Sequence, residues 1–109
     1  MTKVKFFADE KGLCGFEIKG HSSKNCDDEF GKIVCAAVSS AAYMAANTVI
    51  EVLKLSPEAE VRDGYMKIQM NSEDARKAKV ITDGLYLHIE QLASQYPHNL
   101  KLERGVFDA

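Results

Sequence analysis

A histidine and a cysteine in the first third of the chain have the residue types of a catalytic pair. His21 follows Gly20, and Cys35 lies at the predicted start of an alanine-rich helix. A cysteine thiol is only slightly ionised at neutral pH, so a nearby imidazole is its natural activator. The pattern indicates nucleophilic catalysis by Cys35 with His21 as general base. Whether the two side chains meet depends on the fold rather than on their spacing.

The predicted helix begins near Lys32, which puts Cys35 in its first turn. Backbone N–H groups at a helix N-terminus have no partner inside the helix, and the helix dipole is positive there. Such surroundings favour a thiolate and lower the pKa of a cysteine from about 8.5. The same N–H groups can hold the oxyanion that forms when a thiolate attacks a peptide carbonyl.

Each candidate residue also has a purely structural interpretation. Cys35 can be a small apolar side chain of the core, and His21 a solvated loop residue. Ser39, one turn after Cys35, either lines the same pocket or bonds back to a helix carbonyl. A metal site made of His21, Cys26 and Cys35 lacks the paired ligand spacing of zinc modules, so we expect neither a metal nor another cofactor.

Hydrophobic periodicity and turn residues predict five strands and two helices. Asp63-Gly64 is typical of a hairpin turn, and Asn71 or Ser72 can cap the second helix. The predicted elements are strands over 3–8 and 13–19, a loop over 20–31, a helix over 32–55, strands over 60–62 and 65–70, a helix over 72–96 and a strand over 100–106. The second helix is predicted to bury an apolar stripe of Val80, Ile81, Leu85, Leu87, His88, Leu92 and Ala93.

The order ββαββαβ predicts an α+β fold, in which two helices pack on a mostly antiparallel sheet. Residues 1–109 are expected to form a single domain, because a chain of this length supports one core. Small residues cover much of the first helix, so we expect it to be buried on most sides. Its most apolar stretch, 33–50, is predicted to be too short and too polar to span a membrane.

The composition is typical of a globular protein, with 46% hydrophobic residues, 28% charged residues and a formal net charge of −2. Lysines and arginines are scattered among acids, which disfavours direct nucleic-acid binding. The first ten residues lack the apolar core of a secretion signal, so a cytoplasmic location is expected. Three cysteines without paired spacing do not indicate a disulfide framework, and in a reducing cytosol each is expected to be a free thiol.

The segments Gly20-His21-Ser22 and Ile33-Val34-Cys35-Ala36-Ala37-Val38-Ser39-Ser40 resemble the ribosomal-processing cysteine protease family of Firmicutes and related bacteria. The likeness extends over most of the chain. It implies a catalytic dyad of His21 and Cys35, with Ser39 and Gly20 as substrate-binding or supporting residues. It also implies a homodimer and a substrate that is the N-terminal extension of large-subunit ribosomal protein twenty-seven, whose cleavage motif is rich in phenylalanine.

One position departs from the family pattern. An aspartate usually stands three residues before the cysteine, and Lys32 occupies that position. Asp27, Asp28 or Glu29 can take over the role of the aspartate, or the lysine can favour the thiolate electrostatically. The sequence leaves both alternatives open.

The leading hypothesis is a cysteine endopeptidase in which the loop over 22–31 closes over a peptide with bulky apolar residues. The second hypothesis is a non-catalytic module that binds or chaperones a ribosomal-protein segment, and it is motivated by the missing aspartate. A thiol-based redox or metal sensor is a third.

Overall fold

The computed structural model describes residues 1–20 and 29–106 of the chain. Within these ranges the element order confirms the predicted one, except that the second predicted helix is divided in two. The elements are β1 (Thr2–Asp9), β2 (Gly12–Lys19), α1 (Glu29–Asn47), β3 (Glu58–Arg62), β4 (Tyr65–Gln69), α2 (Ser72–Lys77), α3 (Lys79–Gln95) and β5 (Leu100–Val106).

The described strands form one sheet in the order β3-β4-β2-β1-β5. Neighbouring strands are antiparallel except for β1 and β5, which run parallel, so the expected α+β class is confirmed. The register pairs Lys3 with Lys19 and Thr2 with Leu100. The end of β2 therefore lies at the same edge of the sheet as the starts of β1 and β5.

The main core fills the space between one face of the sheet and helices α1 and α3. Alternate residues of β1 face it, as the strand pattern predicted, with Val4 and Phe6 fully buried. The buried residues of this cluster are Val4, Phe6, Leu13, Phe16, Ile18, Val34, Val38, Ala42, Ala45, Ala46, Met66, Ile68, Leu85, Ile89 and Leu100. A second, smaller cluster consists of Cys14, Val49, Met70, Ala75 and Ala78.

Helix α1 begins three residues before the predicted start, at Glu29, so the last part of the predicted loop is helical. It continues into a π-helical turn over Thr48–Val52, in which the N–H of Leu53 donates to the carbonyl of Thr48 at 2.8 Å. Lys54 has a φ of 57°, a left-handed conformation that ends the helix. The sequence predicted neither the early start nor the π-helical turn.

The prediction that α1 is buried on most sides is wrong. Ile33, Tyr43 and Met44 are about half exposed on its outer face. The continuous helix Glu29–Val52 is mostly apolar, and 39% of its most apolar part is buried. By length and composition alone, this described helix is long and apolar enough to cross a membrane. The sequence analysis had predicted the opposite. Core helices have the same composition, and the inner face of α1 packs on the sheet.

In helices α2 and α3 the structure confirms the predicted N-cap but only part of the predicted apolar stripe. The side chain of Asn71 accepts the N–H of Asp74 at 2.8 Å, and the helix breaks at Ala78, which divides α2 from α3. The face of α3 that packs on the sheet differs from the face that the sequence predicted to be buried. Val80, Leu87 and His88 are exposed, whereas Thr82 and Ile89 are buried beside Leu85.

Candidate active site

Cys35 lies in the second turn of α1 rather than in the first, because α1 spans Glu29–Asn47. Inside an α-helix the N–H of residue 35 is paired with the carbonyl of residue 31. The unpaired N–H groups belong to the first turn, and the effect of the helix dipole is concentrated there. The helix therefore stabilises a thiolate at Cys35 less than the sequence predicted.

The side chain of Cys35 is buried but has polar neighbours. It is 5% exposed and belongs to neither of the two apolar clusters. Its Sγ lies 3.4 Å from the hydroxyl oxygen of Thr2 and 3.5 Å from the carbonyl oxygen of Gly20. The Thr2 hydroxyl can donate to the sulfur, and the Gly20 carbonyl can accept a proton from Cys35 when Cys35 is a thiol. The interpretation of Cys35 as an apolar filler of the core does not fit these neighbours.

Gly20 holds the end of β2 in a conformation that a side chain would strain. Its φ is +76°, and a Cβ atom would lie 2.7 Å from the carbonyl oxygen of Met1. Its N–H donates to the carbonyl of Gly64 in the β3–β4 turn at 3.0 Å. The carbonyl of Gly20 is thereby directed at the Cys35 sulfur and the Thr2 hydroxyl. A glycine is required here by both backbone conformation and space.

The expectation that every thiol is free is wrong for Cys35, which is disulfide-bonded in this structure. Cys14, the other described cysteine, is a free and buried thiol, so it is not the partner in that bond. The sulfur of a disulfide is not a nucleophile. Cys35 must therefore be reduced before it can attack a peptide bond, and the chemistry below is that of its thiol.

The remaining predicted site residues are only partly within the described chain. His21, Cys26, Asp27, Asp28 and most of the predicted closing loop lie outside the described residues. The other three predicted residues belong to α1: Ser39 is partly buried one turn after Cys35, and Lys32 and Glu29 are exposed before it.

Three exposed apolar side chains that the sequence analysis did not single out lie next to Thr2 or within five residues of Cys35 along the chain. Met1, Phe30 and Ile33 are each at least half exposed. Met1 directly precedes β1, and Phe30 and Ile33 belong to the first two turns of α1. The ring of Phe30 packs against that of Tyr96, with 6.4 Å between the ring centroids. Within residues 1–20 and 29–106, no group of three or more histidine, cysteine or acidic residues could hold a metal ion.

Comparisons with known proteins identify the family of this chain. Residues 1–101 match the family model described as cysteine protease Prp. The ribosomal processing cysteine protease Prp of Bacillus subtilis (strain 168) is 25% identical over 103 residues, which cover 89% of this chain and 90% of that protein.

Two solved structures share the fold. The essential ribosomal processing protease Prp from S. aureus, crystallised in complex with a substrate peptide, has a TM-score of 0.83 and is 20% identical, covering 95% of this chain and 99% of that one. SMU.848 from Streptococcus mutans has a TM-score of 0.80 and is 26% identical, covering 98% of this chain and 96% of that one. The whole architecture, and not a fragment of it, is therefore shared with these proteins.

Proposed function

We propose that this protein cleaves its substrate with a dyad of Cys35 and His21. The chain belongs to the cysteine protease Prp family and is a ribosomal-processing cysteine protease. The observation that carries the proposal is the contact between Cys35 Sγ and the Gly20 carbonyl, at 3.5 Å. His21 itself lies outside the described residues. His21 is the next residue along the chain after Gly20.

In the proposed reaction the reduced Cys35 forms and breaks one covalent bond to the substrate. The thiol proton passes to the His21 imidazole, and the thiolate attacks the carbonyl carbon of the scissile peptide. His21 returns the proton to the leaving amine as the tetrahedral intermediate collapses to a thioester. A water molecule, deprotonated by His21, then hydrolyses the thioester and regenerates the thiol.

The proposed substrate is the N-terminal extension of large-subunit ribosomal protein twenty-seven, with bulky apolar residues near the cleavage site. The exposed side chains of Met1 and Phe30 support this preference, since they offer apolar surface on the residue before Thr2 and on the first turn of α1. The S. aureus relative was crystallised with a substrate peptide, which supports a peptide as the ligand class. Gly20 and Ser39 are proposed as supporting residues of the same site.

The test is cleavage of the ribosomal protein with its extension by the reduced, full-length enzyme, followed by mass spectrometry. We expect His21→Ala to lower kcat/KM by about 100-fold or more, because the general base is lost. His88→Ala is the matched control, since His88 is exposed on α3 and is expected to have no effect. Equal activity of both variants and the wild type would refute the dyad.

The same experiment distinguishes the second hypothesis, a module that binds the ribosomal protein without cleaving it. Lys32, in place of the usual aspartate, is the feature that favours this hypothesis. Binding of the extended substrate without any change in its mass, in the presence of reductant, would support the binding module. The protease proposal expects a product that lacks the extension.

We also propose that two copies associate through the exposed face of α1. Tyr43 and Met44 lie three and four residues after Ser40, and Ala37 and Ala36 lie three and four residues before it. An antiparallel pair of helices centred on Ser40 would pack each large side chain of one copy over a small side chain of the other. The face carries no charged residue between Ile33 and Asn47, so close approach meets no charge repulsion.

The oligomeric state tests this proposal. We expect wild-type protein to sediment as a dimer and Met44→Lys to sediment as a monomer, because the lysine would bury a charge at the interface. Val80→Lys is the control, since Val80 is 88% exposed on α3, outside the proposed face. Monomeric wild-type protein at micromolar concentration would contradict the proposal.

A reducing compartment is part of the proposal, because only the reduced Cys35 is a nucleophile. We therefore propose a cytoplasmic location, where free thiols persist. Direct nucleic-acid binding has no part in it, in keeping with the formal net charge of −2. The redox state of Cys35 in cells, measured by alkylation in freshly lysed cells, is expected to be reduced.

A further inference from the structure

Thr2 is polar at a position where the strand pattern calls for an apolar residue. Thr2, Val4 and Phe6 alternate along β1, and all three side chains are buried under the helices. Among the described residues, the buried polar or charged side chains are Thr2, at 2% exposure, and Thr82, at 1%. A buried hydroxyl is costly unless its proton is donated to an acceptor. The acceptors therefore show what each threonine does.

The two buried threonines have different acceptors. The Thr82 hydroxyl donates to the carbonyl of Ala78 at 3.0 Å, one turn earlier in its own helical region, which is a common helix contact. The Thr2 hydroxyl has no such local acceptor in its own strand. Its Oγ1 lies 3.4 Å from the Gly20 carbonyl oxygen and 3.4 Å from Cys35 Sγ. Thr2 thus connects β1 with the end of β2 and with α1, at the reactive sulfur.

Ionisation of Cys35 changes which of the two atoms, the Gly20 carbonyl oxygen or the Cys35 sulfur, is the better acceptor for the Thr2 hydroxyl. A neutral thiol can donate its own proton to the Gly20 carbonyl, and then the Thr2 hydroxyl can use either acceptor. A thiolate has no proton and only accepts, and the neighbouring carbonyl oxygen repels it. The Thr2 hydroxyl is a donor that can turn to the charged sulfur, and hydrogen bonds to a charged acceptor are the stronger kind.

We propose that Thr2 is a further active-site residue, whose hydroxyl donates to the Cys35 thiolate and holds the sulfur beside the end of β2. The inference rests on the proposed function of Cys35 as nucleophile. It supplies the stabilisation that the second-turn position of Cys35 removes, since the helix dipole acts mainly in the first turn. By favouring the charged form, the hydrogen bond lowers the pKa of the thiol.

The test compares Thr2→Val, which keeps the shape and removes the hydroxyl, with Thr2→Ser, which keeps the hydroxyl. The pKa of Cys35 is measured in the reduced, full-length protein from the pH dependence of alkylation by iodoacetamide, with the modified peptide identified by mass spectrometry. Thr2→Val should raise the Cys35 pKa by about one unit and lower kcat/KM near neutral pH about tenfold. The activity of this variant should recover at higher pH, and Thr2→Ser should behave like the wild type.

Thr82→Val is the matched control, because it removes the other buried threonine hydroxyl and should leave the Cys35 pKa unchanged. An unchanged Cys35 pKa in folded Thr2→Val overturns the inference. Should Thr2→Val fail to fold, Thr2→Ala and Thr2→Ser carry the test: a raised pKa in the alanine variant alone supports it, and equal pKa values overturn it. Cleavage by Cys35→Ala at the wild-type rate would instead refute the proposed function.

Discussion

The two described cysteines lie near opposite ends of β2 and have opposite surroundings. Cys14 is 1% exposed and Cys35 is 5% exposed, so burial does not distinguish them. Cys14 packs in an apolar cluster, whereas the sulfur of Cys35 meets the Thr2 hydroxyl and the Gly20 carbonyl. The atoms that touch a sulfur, and not its exposed area, decide between a structural and a reactive thiol.

The surroundings of Cys14 favour its neutral form. Loss of hydration on burial raises the pKa of the Cys14 thiol, and the negative charge of Asp9 raises it further. Its sulfur has one polar neighbour in the strand pair, the Phe7 carbonyl at 3.5 Å, which accepts from the neutral thiol only. Cys14 is therefore a side chain of the core, as its strand position suggested. The following predictions test the contrast between the two sites.

The largest expected effect is the loss of cleavage activity when the Cys35 thiol, but not the Cys14 thiol, is removed. Cys35→Ala should lower kcat/KM for the extended ribosomal protein by about 1000-fold or more, because no nucleophile replaces the thiolate. Cys14→Ala should leave kcat/KM within about threefold of the wild type. Both are measured by product mass in the presence of reductant. Equal losses in the two variants would remove the contrast between the sites.

The second expected effect concerns the rate of alkylation in the reduced wild-type protein. At pH 7 we expect iodoacetamide to modify Cys35 about 100-fold faster than Cys14, since the raised pKa of Cys14 leaves little thiolate there. The Cys35 rate should level off as the pH rises above its pKa, while the Cys14 rate continues to increase. Peptide mass spectrometry over a pH series measures both rates, and uniform rates would contradict the prediction.

A third prediction concerns the strand end that holds the Cys35 sulfur. Gly20→Ala should lower the free energy of unfolding by about 1–3 kcal/mol, because a Cβ at φ +76° would lie 2.7 Å from the Met1 carbonyl oxygen. Displacement of the Gly20 carbonyl should also lower kcat/KM about tenfold. Urea unfolding and the cleavage assay measure the two effects.

Gly84→Ala is the matched control for that substitution. Gly84 is exposed within α3, and a Cβ there would have no neighbour within 4 Å. This variant should gain up to about 1 kcal/mol of stability through helix propensity and keep full activity. Similar results for the two glycine variants would show that the strand end has no special role.

The smallest expected effect is the difference in unfolding free energy between the serine variants of the two cysteines. Cys14→Ser should cost about 1–3 kcal/mol of unfolding free energy, because the hydroxyl enters an apolar cluster. Cys35→Ser should cost less than about 1 kcal/mol, since Thr2 and the Gly20 carbonyl can bond a hydroxyl. Urea unfolding under reducing conditions measures both costs. A larger cost at position 35 would reverse the comparison.

Much of the fold could be predicted because it depends on local patterns. Alternation in β1 gave its buried face, Asp63-Gly64 marked the β3–β4 turn, and Asn71 caps α2 as expected. The buried face of α3 could not be predicted with the same success. Val80 and Leu87 are apolar but exposed, whereas Thr82 is buried, because the position of the sheet decides which side of a helix is covered.

The sequence by itself determined the order of the elements. It also identified Cys35 as a candidate nucleophile and the Gly20-His21 segment as the source of its base. Only the tertiary structure showed that Cys35 lies in the second turn of α1 and that Thr2 touches its sulfur. Thr2 and Cys35 are far apart in the chain, and their contact exists because the register of β1 against β2 aligns two strand ends under a helix. Strand register is a property of the whole sheet, so no local pattern contains it.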